Sequence, residues 1–440
     1  MGLKTFTIDF AEFSQETLVR SNYKTAILGI DIKNHFQKSK NKFVRLKEYF
    51  DIISGFAFKS ADYEQEGLPL IRIGDVGNDF DENNMVFLPE DYREDYERFL
   101  LKKNDIVVSL TGDGKLKSDL ILVDDKYLLN QRVGSLRAKE NTNILFFYYL
   151  INYYSLTKKQ FYWWSNGKTQ LNISPFDFLK IKIPLITKPK QDQIVAQIEP
   201  IEKKIKELKA QIRLPQEVIN KVFAREFGFD LEKFEESKKE KFFEVDLSEF
   251  SKHKDLRFGI GVRKANINLK LYISKSFEYK SLGKIISLEY GSGLTDQQRI
   301  EGDYPVMGAN GIVGYHNEYL IEGPSIIVGR KGSAGEINYI EENNFPIDTC
   351  FYIKFIEEQN IVYFSYLLKF LQLKRLTLFK GVPGLNRYDV YDVKIPNIPV
   401  KAQQKIVDEI KTELDKQEEI KSKIENERNK IDEIIEKAIK

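Results

Sequence analysis

Gly114–Lys115 and Gly167–Lys168–Thr169 each have the look of the end of a phosphate-binding GxxxxGK[ST] loop. Ser109 and Tyr162, however, stand where that loop needs its first glycine, so neither segment can wrap its backbone around phosphates. No GxGxxG follows a strand-like run, no NPPY-like segment of an amino-methyltransferase occurs, and there is no HExxH helix. His35, His253 and His316 are scattered without companion ligands and read as surface or loop histidines. The lone Cys350 allows no intramolecular disulfide and no multi-thiolate metal site, and it reads as core packing in a reducing compartment. A chain of 440 residues without a catalytic constellation reads as a binding or assembly protein.

Local charge says more than the net charge of +2. Between Ile151 and Lys190, Lys158, Lys159, Lys168, Lys180, Lys182, Lys188 and Lys190 face only Asp177, interleaved with Tyr153, Tyr154, Phe161, Tyr162, Trp163 and Trp164. A second stretch has Lys369, Lys374, Arg375, Lys380, Arg387, Lys394 and Lys401 against Asp389 and Asp392. Basic residues neutralise phosphates and aromatic or amide neighbours meet bases, so this is the composition of a DNA face; a solvated basic surface beside an aromatic core is an equal reading. Asp62 to Glu97 is acidic and should point away from phosphates.

These stretches recur because the chain repeats itself. Phe6, Asp9, Glu12, Phe13, Ser14 and Arg20 return 237 positions later as Phe243, Asp246, Glu249, Phe250, Ser251 and Arg257. The offset narrows to 212 by Ile183, Pro184, Gln191, Ile194, Val195 and Ile198, which match Ile395, Pro396, Gln403, Ile406, Val407 and Ile410. Between these ends Gly167, Leu171 and Asn172 align with Gly381, Leu385 and Asn386. A drifting offset means two copies of one fold with insertions between them. Each copy reads as strands and turns, with Asp105 to Leu110 and Ser325 to Gly329 as buried strands, then an aromatic helix at Ile144 to Leu156 or Ile361 to Leu373. With 42% hydrophobic and 13% aromatic residues, each copy can build an ordinary core.

Each copy closes on a long helix. Ile194, Ile198, Ile201, Ile205, Leu208 and Ile212 follow alternating steps of four and three, the seam of a coiled coil. Ile406, Ile410, Ile420, Ile424, Ile431 and Ile434 repeat it, with Glu413, Gln417 and Glu427 at polar seam positions. Such narrow stripes need a partner helix, and an antiparallel pair within the chain is favoured over a parallel dimer. Asn172 and Asn386 read as a helix N-cap or turn residue as readily as a DNA contact.

Gly167 to Pro184, GKTQLNISPFDFLKIKIP, with Gln191, Gln193, Ile194 and Val195, resembles the specificity subunit of type I restriction-modification enzymes, as does YPVMGANGIVGYHNEYLIEGPSIIVGRKGSAG from Tyr304 to Gly335. Lys188, Pro189 and Lys190 depart from the family's usual proline and acidic residue before the helix glutamine, and Gly384 replaces Gln170. The resemblance implies an α+β chain: target-recognition domain 1 at 1–188, a central helix at 189–225, target-recognition domain 2 at 226–398 and a C-terminal helix at 399–440, the two helices forming an intramolecular antiparallel coiled coil. It further implies a noncatalytic, cytoplasmic subunit that reads a split site in double-stranded DNA, one half per domain. It would dock two methyltransferase subunits and, through them, two restriction subunits. S-adenosylmethionine, ATP and Mg would be bound by those partners and no cofactor by this chain. A free-standing coiled-coil scaffold with two protein-binding modules is the alternative, and a fused nuclease-methyltransferase is disfavoured by the missing motifs.

On this reading the corresponding loops differ so as to read different bases. The candidate contacts are Arg72, Lys115, Lys117, Gln131, Lys168 and Gln170 in the first copy, and Gln297, Gln298, Arg299, Asn310, Arg330, Lys331 and Arg387 in the second. If the helices set the spacing, one heptad inserted in both lengthens them by about 10 Å and shifts the gap between half-sites by about three base pairs. Methylation-site mapping checks this, and an unchanged gap in an active complex rules the spacing role out.

Overall fold

The structure, a computed structural model, describes residues 23–77, 80, 82–112, 116–140, 142–166, 171–236, 272–377 and 384–439. The repeated lead segment near Phe6 and Phe243, His253, and the candidates Lys115, Lys168 and Gln170 lie outside them.

The chain forms two compact units, 1–210 with 422–440, and 211–421. The first begins with α1 (Tyr23–Lys38), β1 (Phe43–Arg45), β2 (Phe50–Ser54), β3 (Leu68–Ile71), β4 (Val86–Leu88) and the short α2 (Tyr92–Asp95). It continues with β5 (Ile106–Ser109), β6 (Thr111–Gly112), β7 (Ser118–Leu120), β8 (Leu128–Leu129) and β9 (Val133–Ala138). Then come α3 (Ile144–Tyr153), α4 (Ser155–Trp164), β10 (Leu171–Asn172), α5 (Pro175–Phe178), β11 (Lys182–Pro184) and α6 (Lys188–Lys209). The second unit opens with α7 (Pro215–Phe227), α8 (Leu231–Glu236), β12 (Tyr279–Ser281), β13 (Ile286–Tyr290), β14 (Tyr304–Gly308) and β15 (Gly311–His316). After these follow β16 (Ser325–Gly329), β17 (Ile337–Ile340), β18 (Phe345–Pro346), β19 (Cys350–Phe355), α9 (Ile361–Leu371), α10 (Arg387–Tyr391), β20 (Lys394–Pro396) and α11 (Val400–Ile439).

The two units share one topology. A four-stranded antiparallel sheet runs β2-β9-β5-β7 in the first and β13-β19-β16-β17 in the second. A three-stranded sheet runs β4-β3-β8 and β15-β14-β18, and a two-stranded pair, β1-β11 or β12-β20, closes each unit. The interior strands β5 and β16 are the continuous β-branched runs Ile106–Ser109 and Ser325–Gly329, buried along their length as strands covered on both faces must be. Cys350 sits in the core beside Met307 and Ile327, and burial pushes its thiol up to about 11. His316 is a correction to the surface reading: at the end of β15 it is buried, its Nδ1 accepts from Ile300 N at 3.0 Å, and its ring lies edge-on to Phe345. His35 bonds Tyr154 Oη at 3.0 Å.

A paired glutamine joins connector to helix in each copy. Gln191 Nε2 donates to Ile186 O at 2.8 Å, and Gln403 Nε2 donates to Ile398 O at 2.8 Å. Both side chains are buried, where an amide left without partners is costly. Gln403 does more: Oε1 accepts from Asn360 N at 3.0 Å and Nε2 reaches Gln359 Oε1 at 2.6 Å. Asn143 and Asn360 then cap the aromatic helices, accepting from Phe146 N at 3.1 Å and Tyr363 N at 3.0 Å. Each also donates to its long helix, to Asp192 Oδ1 at 2.6 Å or Gln404 Oε1 at 2.6 Å.

The predicted seam is buried at Ile194, Ile198, Ile205, Ile406, Ile410, Ile424 and Ile431, and half-buried at Ile201, Leu208 and Ile420. Ile212 falls beyond α6, which ends at Lys209 before the turn leading to Pro215. Toward its C-terminus α11 buries Ile435 and Ile439 while Ile434 stays half-exposed, so the stripe shifts from steps of three and four to steps of four. Here the helix packs on the body of the first unit rather than on one helix: Glu436 accepts from Ser155 N at 3.0 Å, Asn41 Nδ2 donates to Ile439 O, and Asp432 pairs with Lys158 at 3.8 Å.

The polar seam residues are all partnered. In the second unit Arg213 N donates to Gln417 Oε1 at 2.7 Å, Arg225 pairs with Glu409, and Glu413 binds Lys416 at 2.6 Å. Arg213 with Gln417 and Arg225 with Glu409 run in opposite sequence directions, the register of antiparallel chains. In the first unit Glu427 accepts from Lys204 at 2.6 Å and Lys430 at 2.9 Å, and these two lysines hold its carboxyl below the usual range.

Gln403→Leu, which strands the Asn360 N–H and Ile398 carbonyl, should cost about 1–3 kcal/mol and lower the thermal midpoint more than Gln191→Leu. Equal midpoints contradict the extra bonds. Because the Glu427 carboxyl is depressed on folding, its contribution is present at neutral pH and is lost as pH falls through that lowered value. Glu427→Gln should therefore lower the midpoint at pH 7, with the gap to the native chain closing below about pH 4. A gap independent of pH excludes the ionised seam pair.

Candidate nucleic-acid interface

In the second unit, four loop ends meet where β13, β16 and α10 converge. β13 ends at Tyr290, directly opposite Phe351 on β19, their rings 5.0 Å apart. Gly291 follows because a Cβ there would lie 2.1 Å from Ile347 O, and Gly55 meets Asn130 O at the same distance in the first unit. β16 turns at Arg330, Lys331 and Gly332, whose φ of +74° favours glycine. The turn is stitched to the segment before α10: Leu385 N donates to Arg330 O at 2.9 Å, and Lys331 bridges Gly384. Asn386 caps α10 by accepting from Tyr388 N at 3.1 Å.

This main-chain frame brings two arginines onto one ring. Arg330 lies 5.3 Å from the centre of the Tyr290 ring and 5.9 Å from that of Phe351, with Nε donating to Asp348 O at 2.9 Å. Arg387 lies 5.5 Å from the Tyr290 ring and 5.1 Å from that of Tyr388. Tyr290 is 52% exposed and Tyr388 61%, so guanidiniums and rings face solvent together. The β14–β15 hairpin joins the surface: the Ala309 carbonyl would sit 2.9 Å from a Cβ on Gly329, and Asn310 is exposed at the hairpin tip. Arginine on an aromatic face keeps in-plane donors for phosphate or a guanine edge, and aromatic rings offer stacking faces.

Arg330, Lys331, Arg387 and Asn310 thus come together. Gln297 and Gln298 are exposed in one turn of 3₁₀ helix, where Gln298 Oε1 accepts from Thr295 N at 2.9 Å. Arg299 has a side chain only 15% exposed, paired with Asp296 at 2.7 Å and donating to Val313 O at 2.9 Å, so it braces β15.

In the first unit Ile173 N donates to Leu110 O at 2.9 Å, matching the Leu385–Arg330 bond. The sequence alignment of this segment is therefore shifted by two residues: Ile173 faces Leu385, and Ser174, the N-cap accepting from Asp177 N at 3.0 Å, takes the place of Asn386. Asn172 is not a cap: it pairs with Thr111 on β6 and its Oδ1 accepts from Thr111 Oγ1 at 2.9 Å. Lys117 is exposed alongside Gly77, and Gln131 is exposed between β8 and β9. Arg72 directly follows β3, with its Nε 3.6 Å from Asp75.

Sequence reasoning missed Tyr290, Tyr388 and their counterpart of α5, Phe176, which is 80% exposed. The available signal was an aromatic residue at a strand end or in a first helical turn beside glycine or a cap, where no core remains to be filled.

Among the described residues no cluster of His, Cys, Asp or Glu could hold a metal ion, and no helix is long and apolar enough to cross a membrane. A stretch of 149 residues is 34% identical to the Type I restriction enzyme MjaVIII specificity subunit of Methanocaldococcus jannaschii, covering 32% of this chain and 35% of that protein. Another of 168 residues is 29% identical to the EcoAI specificity subunit of Escherichia coli, covering 35% of this chain and 27% of that one. The matches thus span about a third of these relatives or less. The crystal structure of the type I restriction-modification S subunit from M. genitalium aligns at 18% identity over 91% of this chain and 96% of that one, with a TM-score of 0.41. The family described as the type I restriction modification DNA specificity domain matches residues 38–216 and again 274–429, more than half of the chain, and the protein belongs to that family.

Proposed function

We propose that the chain is the noncatalytic DNA-reading subunit of a type I restriction-modification complex, each unit reading one half of a split target in double-stranded DNA. The observation that carries this reading is one main-chain frame built twice with different exposed side chains. The second unit presents Arg330, Arg387 and Tyr290 on that frame, and the first presents Asn172, Gln131 and Lys117. Equal frames suit two equivalent seats on a duplex, and unequal side chains suit two unlike half-sites.

The long helices α6 and α11 and their repeated connectors are the surface proposed to dock two methyltransferase subunits and, through them, restriction subunits. S-adenosylmethionine, ATP and Mg belong on this reading to those partners, and the work takes place in the cytoplasm. The domains are proposed to run 1–188 and 226–398, with helical segments 189–225 and 399–440 between and after them.

Mapping methylated adenines in DNA exposed to the assembled complex should give a split motif, and Arg330→Ala should relax one base pair in one half by about 1–3 kcal/mol. Binding of the full chain should also weaken steeply as salt rises. A continuous motif, or binding indifferent to salt, overturns the reading.

A further inference from the structure

Tyr290 and Phe351 belong to no sequence-derived set of contacts, yet Tyr290 lies against both Arg330 and Arg387, and Phe351 against Arg330. Phe351 is buried on β19 with its ring against Tyr290, and the Arg330 guanidinium lies over both rings. The first unit has Ser54 opposite Gly134 at the same register and Leu110 in place of Arg330. There a Cβ at Gly134 would lie 3.3 Å from Leu110 Cδ1, so the Leu110 side chain folds inward over the glycine and is buried. In the second unit the Phe351 ring fills that space, and the side chain at the matching place turns outward onto Tyr290. One buried aromatic residue therefore separates an inward apolar side chain from an outward cation.

We propose that Tyr290, itself held by Phe351, is a positioning residue for base recognition by the second unit, fixing the Arg330 and Arg387 guanidiniums in one shared orientation toward a guanine-bearing half-site. This rests on the DNA-reading function proposed above. Two guanidiniums at 5.3 and 5.5 Å from one ring lose the same support if the ring is removed, and keep it if only the hydroxyl is removed. Ring contact of this kind alters affinity by about 2- to 30-fold, from exposed to desolvated sites.

The test is selection from a randomised duplex DNA pool by the full chain, read by sequencing, for the native protein and for Tyr290→Ala, Tyr290→Leu, Tyr290→Phe and Arg330→Ala. Tyr290→Ala and Tyr290→Leu should relax preference at the positions that Arg330→Ala relaxes, and Tyr290→Phe should keep the native profile. Tyr290 is half-exposed, and the leucine variant retains apolar bulk against Phe351, so a folding defect confined to the alanine variant leaves the comparison intact. A native profile in Tyr290→Leu, an equal loss in Tyr290→Phe, or lower affinity with unchanged base preference overturns the positioning role while DNA reading stands. If the native chain enriches no sequence, the DNA-reading function fails and the positioning role fails with it.

Discussion

Leu110 and Arg330 stand at the same place in two copies of one fold, and each accepts a main-chain hydrogen bond through its carbonyl, from Ile173 N or Leu385 N, at 2.9 Å. That bond ties the turn after the interior strand to the segment before a short helix, and the exposed surface of each unit hangs from it. It is blind to side-chain type, because donor and acceptor are both backbone. Leucine and arginine can therefore exchange there without disturbing the ladder, and an apolar plug becomes a guanidinium at solvent. The same logic holds at Gly55 and Gly291, where the next loop passes so close that neither position admits a Cβ, whatever its neighbours are.

The helical connectors rest on the opposite principle, since their joints are made by side chains and the side chains repeat. Gln191 and Gln403 each fold back on the carbonyl five residues earlier, and Asn143 and Asn360 each cap an aromatic helix while reaching the start of the long helix, α6 or α11. A buried amide has few satisfactory orientations, so these residues fix the angle at which each long helix leaves its connector. Glu427 and Gln417 extend this along α11, for a polar group within an apolar stripe is satisfied at only one register.

Much of this was legible in the sequence. The duplication, the buried strands at Ile106–Ser109 and Ser325–Gly329, the aromatic helices and most of the seam follow from periodicity, which reports local burial. The two-residue misalignment near Asn172 was not legible: Leu-Asn, four residues after a glycine, recurs in both copies as letters, and only the strand bond at Ile173 shows that Ser174, not Asn172, shares the capping role of Asn386. The end of the seam failed for another reason. Alternating steps of three and four presume one partner helix, whereas at Ile435 and Ile439 the helix lies on a broader surface bearing Asn41, Ser155 and Lys158. His316 was misjudged because no periodicity marks a lone polar side chain filling a gap, and the bracing of β15 by Arg299 was not legible because a cation that braces a strand is indistinguishable by type from one that meets a ligand.

On the function proposed above, a net charge of +2 is no obstacle to a nucleic-acid surface at the arginine cluster, since the orientation of a few guanidiniums counts for more than their total. Orientation here depends on what lies beneath. A phenylalanine at 134 could not simply be placed in the first unit, because a Cβ there would already stand 3.2 Å from Ile52 Cδ1 and 3.3 Å from Leu110 Cδ1. Leu110 would have to leave the core, and a leucine turned to water gives up its burial free energy where an arginine does not. An arginine at 110 without a ring at 54 would in turn find no aromatic face. Ser54, Leu110 and Gly134, like Tyr290, Arg330 and Phe351, are thus coupled choices. On the function proposed above, a half-site preference would be set by a group of residues spanning core and surface, so that substituting one exposed contact would weaken a specificity more readily than convert one into the other.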